Sequence, residues 1–181
     1  AFGVLPPVAR LSTPQALYHF LCGYTALLPG RGSGRSEPIP VFSPCYGAPF
    51  VPLHPKRYAD LLRHRLDAHR PRVWLVNTGW TGGPWGEGRR IDLAHTRALV
   101  STLLAGGLDQ VETRMDPVFG FEVPLACPGV PSALLDPRGT WRDSAAYDAQ
   151  ARWLTGLYRD NFNAFAATLD AQVRAAGPRE D

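Results

Sequence analysis

VWLVNTGWTGGPWGEGRRIDLAHTRALVSTLLAGG, residues 73–107, is the stretch that decides the fold. Val73, Trp74, Leu75 and Val76 form a short apolar run of the kind that makes a buried strand. Gly79, Gly82, Gly83, Gly86 and Gly88 then crowd into ten positions, so the chain must turn. Asp92 stands where a helix N-cap belongs, and Leu93, Val100, Leu103 and Leu104 share one helical face. Gly106 and Gly107 close that helix. A strand that feeds a glycine turn and then a helix predicts a chain that mixes α and β elements.

Working outward, Ser12 or Thr13 caps an earlier helix, with Pro14 in its first turn and Gln15 three residues after Ser12. Leu17, Phe20, Leu21 and Tyr24 form its buried face, and Gly23 lies near its end. Residues 27–52 carry little periodicity and read as a long loop with short strands near Val41 and Phe50. A second helix is predicted over residues 55–69, with Tyr58, Leu61, Leu62 and Leu66 on its apolar side. After the central stretch, strands are expected near Val111 and over residues 118–123, followed by a Pro-rich connection to Pro137. One long helix, residues 144–173, is read from Tyr147, Ala151, Leu154, Tyr158, Phe165, Leu169 and Val173. The fold class is α/β (mixed α+β), in one domain over residues 1–181.

Composition removes several function classes. Hydrophobic residues are 45% of 181, enough for a core. No apolar run is long enough to cross a bilayer, and a net charge of +3 is too mild to argue for nucleic acid or an anionic membrane. Lys56 is the only lysine, so lysine chemistry has one candidate. Cys22, Cys45 and Cys127 are widely spaced, which argues against a disulfide framework or a zinc site and favours a reducing cytoplasm. The single methionine is Met115, so Ala1 reads as a processed, trimmed or internal start.

Gly83, Gly88 and Arg89 imitate a phosphate loop, but Arg89 replaces its lysine and Arg90 the hydroxyl residue that holds magnesium. The glycine turn and helix start remain able to hold an anion or a base, with Arg89 and Arg90 adding charge and Trp80 and Trp85 beside them. His19, His54, His64, His69 and His95 do not cluster, and His64 and His69 are not at metal-pair spacing. Glu37, Glu87, Glu112 and Glu122 are scattered, and Ser43 and Cys45 lack a nucleophile context.

The residues resemble a known family. Ala1-Phe2-Gly3-Val4-Leu5-Pro6-Pro7, Tyr18-His19-Phe20-Leu21, Gly23-Tyr24-Thr25-Ala26, Cys45-Tyr46-Gly47-Ala48-Pro49-Phe50 and Leu53-His54-Pro55 occur in order. Leu75-Val76-Asn77-Thr78-Gly79-Trp80 is the strongest block, followed by Gly86, Gly88, Arg90, Ile91, Thr96 and Arg97, then Asp136-Pro137-Arg138 and Thr140-Trp141. The whole set resembles the C-terminal part of ATP-dependent phosphoenolpyruvate carboxykinase, within its nucleotide-binding domain. That resemblance implies a lyase that converts oxaloacetate and ATP to phosphoenolpyruvate, carbon dioxide and ADP in gluconeogenesis, using Mg and Mn. By motif position it implies that Arg90, Ile91 and Thr96 contact the nucleotide: Arg90 against the adenine or toward phosphate, Ile91 as an apolar wall, Thr96 by its hydroxyl.

The resemblance also implies that the phosphate loop, the metal ligands and the arginine that grips oxaloacetate lie upstream of Ala1. No catalytic or metal residue is therefore assigned here, and the free chain is expected to be inactive. Residues 30–38 match a mobile lid in the family, but Pro29-Gly30-Arg31-Gly32 replaces its usual Ala-Gly-Thr-Glu and Leu27 stands where a basic residue is common. The expected partners are ATP, oxaloacetate or phosphoenolpyruvate, and the missing N-terminal part of the protein, with no nucleic acid and no membrane. The alternative is a truncated, non-catalytic relative that kept an adenine pocket.

Overall fold

The computed structural model describes residues 1–30 and 36–179. They divide into two compact units. The first comprises Ala1–Arg10, Trp74–Pro117 and Phe121–Trp153, and the second comprises Leu11–Val73, Val118–Gly120 and Leu154–Asp181.

The first unit is built on a four-stranded sheet, whose boundary residues Leu11 and Val73 count with the second. Its strands are β1 (Val8–Leu11), β4 (Val73–Val76), β7 (Thr113–Met115) and β8 (Glu122–Pro124), in the order β4-β1-β8-β7. Both β1–β8 and β7–β8 are antiparallel, with Arg10 opposite Glu122 and Arg114 opposite Val123. Val8 and Ala9, on opposite faces of β1, are both fully buried, so this strand is covered on both faces. Glu122 accepts the Arg10 Nε–H at 2.6 Å across the β1–β8 pair. Beside the sheet lie a two-stranded hairpin, β5 (Trp80–Thr81) and β6 (Arg89–Arg90), and helix α3 (Leu93–Leu104). Leu99, Phe121, Val123, Leu135 and Tyr147 are nearly inaccessible and form the core. The Tyr147 hydroxyl donates to the Val4 carbonyl at 3.2 Å. Burial, with the carboxylates of Asp116, Asp136 and Asp148 nearby, pushes its pKa up.

The second unit packs helices around aromatic rings. Helix α1 (Thr13–Cys22) starts with the predicted capping box: the Gln15 N–H bonds Ser12 Oγ, and Gln15 Oε1 accepts the Ser12 N–H at 2.9 Å. Gly23 ends it in the left-handed conformation. Helix α2 (Pro55–His69) has the predicted bounds. Tyr18 stacks on Phe162 at 4.0 Å and 23°, and Tyr158 meets Tyr24, Phe42 and Phe119 within 6.3 Å. His19 is buried in this cluster, and desolvation lowers its pKa to about 3, so the ring is neutral.

Four local expectations change. Tyr24 belongs to strand β2 (Tyr24–Leu27), not to helix α1, because Gly23 has already reversed the chain; β2 pairs with β3 (Ile39–Phe42). Residues around Phe50 form a 3-10 turn, Ala48–Phe50, not a strand. The apolar segment 118–123 turns before it pairs, with the Asp116 N–H bonded to the Phe121 carbonyl at 2.7 Å, so β8 begins only at Glu122. The long final helix is two: α5 (Ser144–Ala166) and α6 (Ala171–Arg174). Thr168 Oγ1 donates to the Phe165 carbonyl, and Asp170 accepts from the Val173 N–H as an N-cap. These local bonds compete with helix continuation, while the apolar periodicity runs on across the break. The remaining helix, α4 (Pro137–Thr140), is a single turn.

Candidate functional site

The site that the sequence selects lies on the β5–β6 hairpin and the start of α3, within the first unit. Asn77 prepares the hairpin. Its Nδ2 donates to the Leu5 carbonyl at 2.9 Å, and its Oδ1 accepts the Gly79 N–H at 3.0 Å. This side-chain turn swings the chain out of β4 and into β5. Trp80 then faces Arg90, and Thr81 faces Arg89. The Ile91 N–H extends the pairing to the Gly79 carbonyl at 2.9 Å.

The connecting turn, residues 82–88, is braced from within and from outside. The Gly82 N–H donates to Thr140 Oγ1 at 3.0 Å, while that hydroxyl donates to the Pro137 carbonyl at 2.6 Å. The Trp85 N–H donates to the Ala1 carbonyl, and the Glu87 and Gly88 N–H groups to the Pro84 carbonyl. Four turn N–H groups thus already have acceptors, and Pro84 has none to offer. Those four groups are therefore not available to cradle an anion. Close approach is what Gly88 provides, while Gly82 and Gly86 take positive φ angles of 73° and 90°. A Cβ on Gly88 would lie 2.3 Å from the Gly83 carbonyl oxygen, and one on Gly3 would lie 2.3 Å from the same atom.

The hairpin presents Arg90 in a defined way. Its guanidinium carbon lies 5.5 Å from the centroid of the Trp80 ring, a cation–π distance. Trp80 is only 8% exposed, and Trp85 meets it at 5.4 Å and 56°. Arg90 itself is exposed. Ile91, the next residue, is buried at 6%. Thr96 is half-buried and sits one turn into α3, its N–H bonded to the Asp92 carbonyl. Asp92 occupies the N-cap position, but its side chain makes no capping bond. Arg90 and Ile91 are thus adjacent on β6 and its continuation, and Thr96 follows on the next element. The pairing of Trp80 with Arg90 is what sequence reasoning missed. Each residue stands out in the sequence, but only the register, ten residues apart across a turn of unpredictable length, places one on the other.

Elsewhere the structure separates the candidates. Among the described residues no three His, Cys, Asp or Glu side chains come close enough together to hold a metal ion. Cys22 and Cys127 are buried, Cys45 is half-buried, and all three thiols are free. Of the lid-like loop 30–38, residues 31–35 lie outside the described residues. No described helix is long and apolar enough to cross a membrane.

Comparison with known proteins places the chain. The family model described as phosphoenolpyruvate carboxykinase matches residues 1–133, and the chain belongs to that family. Within it, the chain is similar to enzymes named phosphoenolpyruvate carboxykinase (ATP). It is 55% identical to that of Thermus thermophilus over 181 residues, which is 100% of this chain and 34% of the relative. It is 54% identical to that of Rhodopseudomonas palustris (strain BisA53) over 178 residues, 98% of this chain and 33% of the relative. With that of Paracoccus denitrificans it shares 53% over 176 residues, 97% of this chain and 33% of the relative. The chain therefore spans about a third of the length of these curated relatives.

Proposed function

We propose that this chain supplies the adenine side of the ATP site in a cytoplasmic enzyme that converts oxaloacetate and ATP to phosphoenolpyruvate, carbon dioxide and ADP. The observation that carries the reading is the exposed Arg90 guanidinium on a braced hairpin, in a chain 55% identical throughout to an ATP-dependent carboxykinase. ATP supplies the transferred phosphate. Arg90 stacks on the purine with its free face. Ile91, buried and with its N–H committed to Gly79, forms an unyielding floor beside it. The Thr96 hydroxyl bonds the edge of the base. Residues 30–38 act as a lid.

On this reading the groups that bind Mg and Mn and oxaloacetate belong to the rest of the protein, since this chain spans about a third of the length of its relatives. The free chain is inactive on this reading. The test is steady-state kinetics of the full protein carrying this chain. Arg90→Met should raise KM for ATP about tenfold with kcat retained, as follows from removing a cation–π interaction shielded from water. An unchanged KM, or turnover by the isolated chain, would overturn the proposal. The altered lid sequence at residues 29–32 favours a second reading, a non-catalytic nucleotide-binding protein. It predicts ATP binding by the native gene product without phosphoenolpyruvate formation.

A further inference from the structure

We infer that Trp80 is a positioning residue that holds the Arg90 guanidinium flat, so that its outer face is ready to receive a purine base. This rests on the reading of Arg90 as the group that meets the base. Trp80 is directly opposite Arg90 in the antiparallel ladder, and the two are 5.5 Å apart, guanidinium carbon to ring centroid. A free arginine side chain has several rotatable bonds and loses rotamer freedom when it is fixed on binding. An arginine already lying on an indole has lost much of that freedom before the ligand arrives, which raises affinity without adding an interaction.

The indole is itself held. Trp80 is 8% exposed, Trp85 packs against it at 5.4 Å, and the next residue in β5, Thr81, is tied through its hydroxyl to Thr140 at 3.2 Å. The guanidinium carbon stands over a buried ring, while Arg90 as a whole remains exposed. A guanidinium can stack on both faces, so the arrangement completes as indole, guanidinium, base. The ligand class is a purine nucleotide, and the part of it recognised is the base, not the phosphates.

The experiment uses the full protein carrying this chain and compares binding of ATP with inorganic tripolyphosphate, which lacks the base. Trp80→Leu should weaken ATP binding about tenfold and raise KM with kcat retained, leaving tripolyphosphate unchanged. Trp80→Phe, which keeps a smaller π face and the fold, should recover most of the loss. In a double-mutant cycle, adding Trp80→Leu to Arg90→Met should cost little more than Arg90→Met alone. The inference is overturned if Trp80→Leu binds ATP like wild type or if Trp80→Phe is as impaired as Trp80→Leu. Equal loss of ATP and tripolyphosphate, or additive effects with Arg90→Met, would also overturn it. Failure of the underlying reading looks different: Arg90→Met alone would then leave ATP binding unchanged.

Discussion

Gly88→Ala is the sharpest probe of the hairpin. The added methyl would stand 2.3 Å from the Gly83 carbonyl oxygen and 2.7 Å from that of Thr81. Ordinary carbon–oxygen approaches begin near 3.3 Å, so about 1 Å of relief is needed. The Gly83 carbonyl cannot retreat far, because Gly3 approaches it as closely as Gly88 does. Thr81 is fixed in β5. The displacement must therefore fall on β6, which begins at the very next residue, Arg89.

Overpacking of this kind costs about 1–3 kcal/mol. Taken at about 2 kcal/mol, it raises the local opening equilibrium about thirtyfold. Hydrogen exchange read by mass spectrometry on peptides spanning residues 80–91 measures that directly. Gly86→Ala is the control. Nothing lies within 4 Å of its added carbon, and only its φ of 90° is strained, at about 1 kcal/mol. If Gly88→Ala exchanges no faster than Gly86→Ala, close approach is not what Gly88 provides.

Other expectations follow from the two cores. Tyr147→Phe strips the buried Val4 carbonyl of its donor and should cost about 1–2 kcal/mol in denaturant unfolding. Leu154, fully inaccessible, should cost about 2–5 kcal/mol on truncation to alanine, read as a lower melting temperature. Because burial holds the His19 pKa near 3, below its ordinary value of 6.5, the unfolded chain binds a proton there that the folded chain refuses. Stability should accordingly fall as pH drops from about 6.5 toward 3, by at most about 1.4 kcal/mol per unit, and His19→Gln should flatten that slope. Phe50 and Leu104 are 88% and 85% exposed, so the isolated chain should bind a hydrophobic dye, and a dye-silent, monodisperse chain would contradict this.

The helices are largely legible in the sequence because their signals are local. The Ser12–Gln15 capping box and Pro55 at the start of α2 each act within one turn. The strands are less so. Segment 118–123 is apolar enough to pair, yet a turn bond between Asp116 and Phe121 takes most of it out of the ladder. The break after Ala166 is hidden because Leu169 and Val173 keep the helical spacing while Thr168 and Asp170 divert the backbone. In the site, motif position alone points to Arg90, Ile91 and Thr96. That Arg90 lies on Trp80 depends on hairpin register, which residues 82–88 set through bonds to Thr140 and Ala1 far along the chain.

That register carries a consequence for how the protein can change. β6 consists of two identical side chains, Arg89 and Arg90, and only the pairing decides which one meets the indole. Neighbouring strand residues point to opposite faces, so a slip by one position would hand the aromatic seat to Arg89. The residues of both strands would look unaltered. A single-residue insertion or deletion between positions 82 and 88 could therefore silence the site while every residue associated with it stayed in place. Variation in this family is safest to interpret by counting the length of that loop before reading its letters.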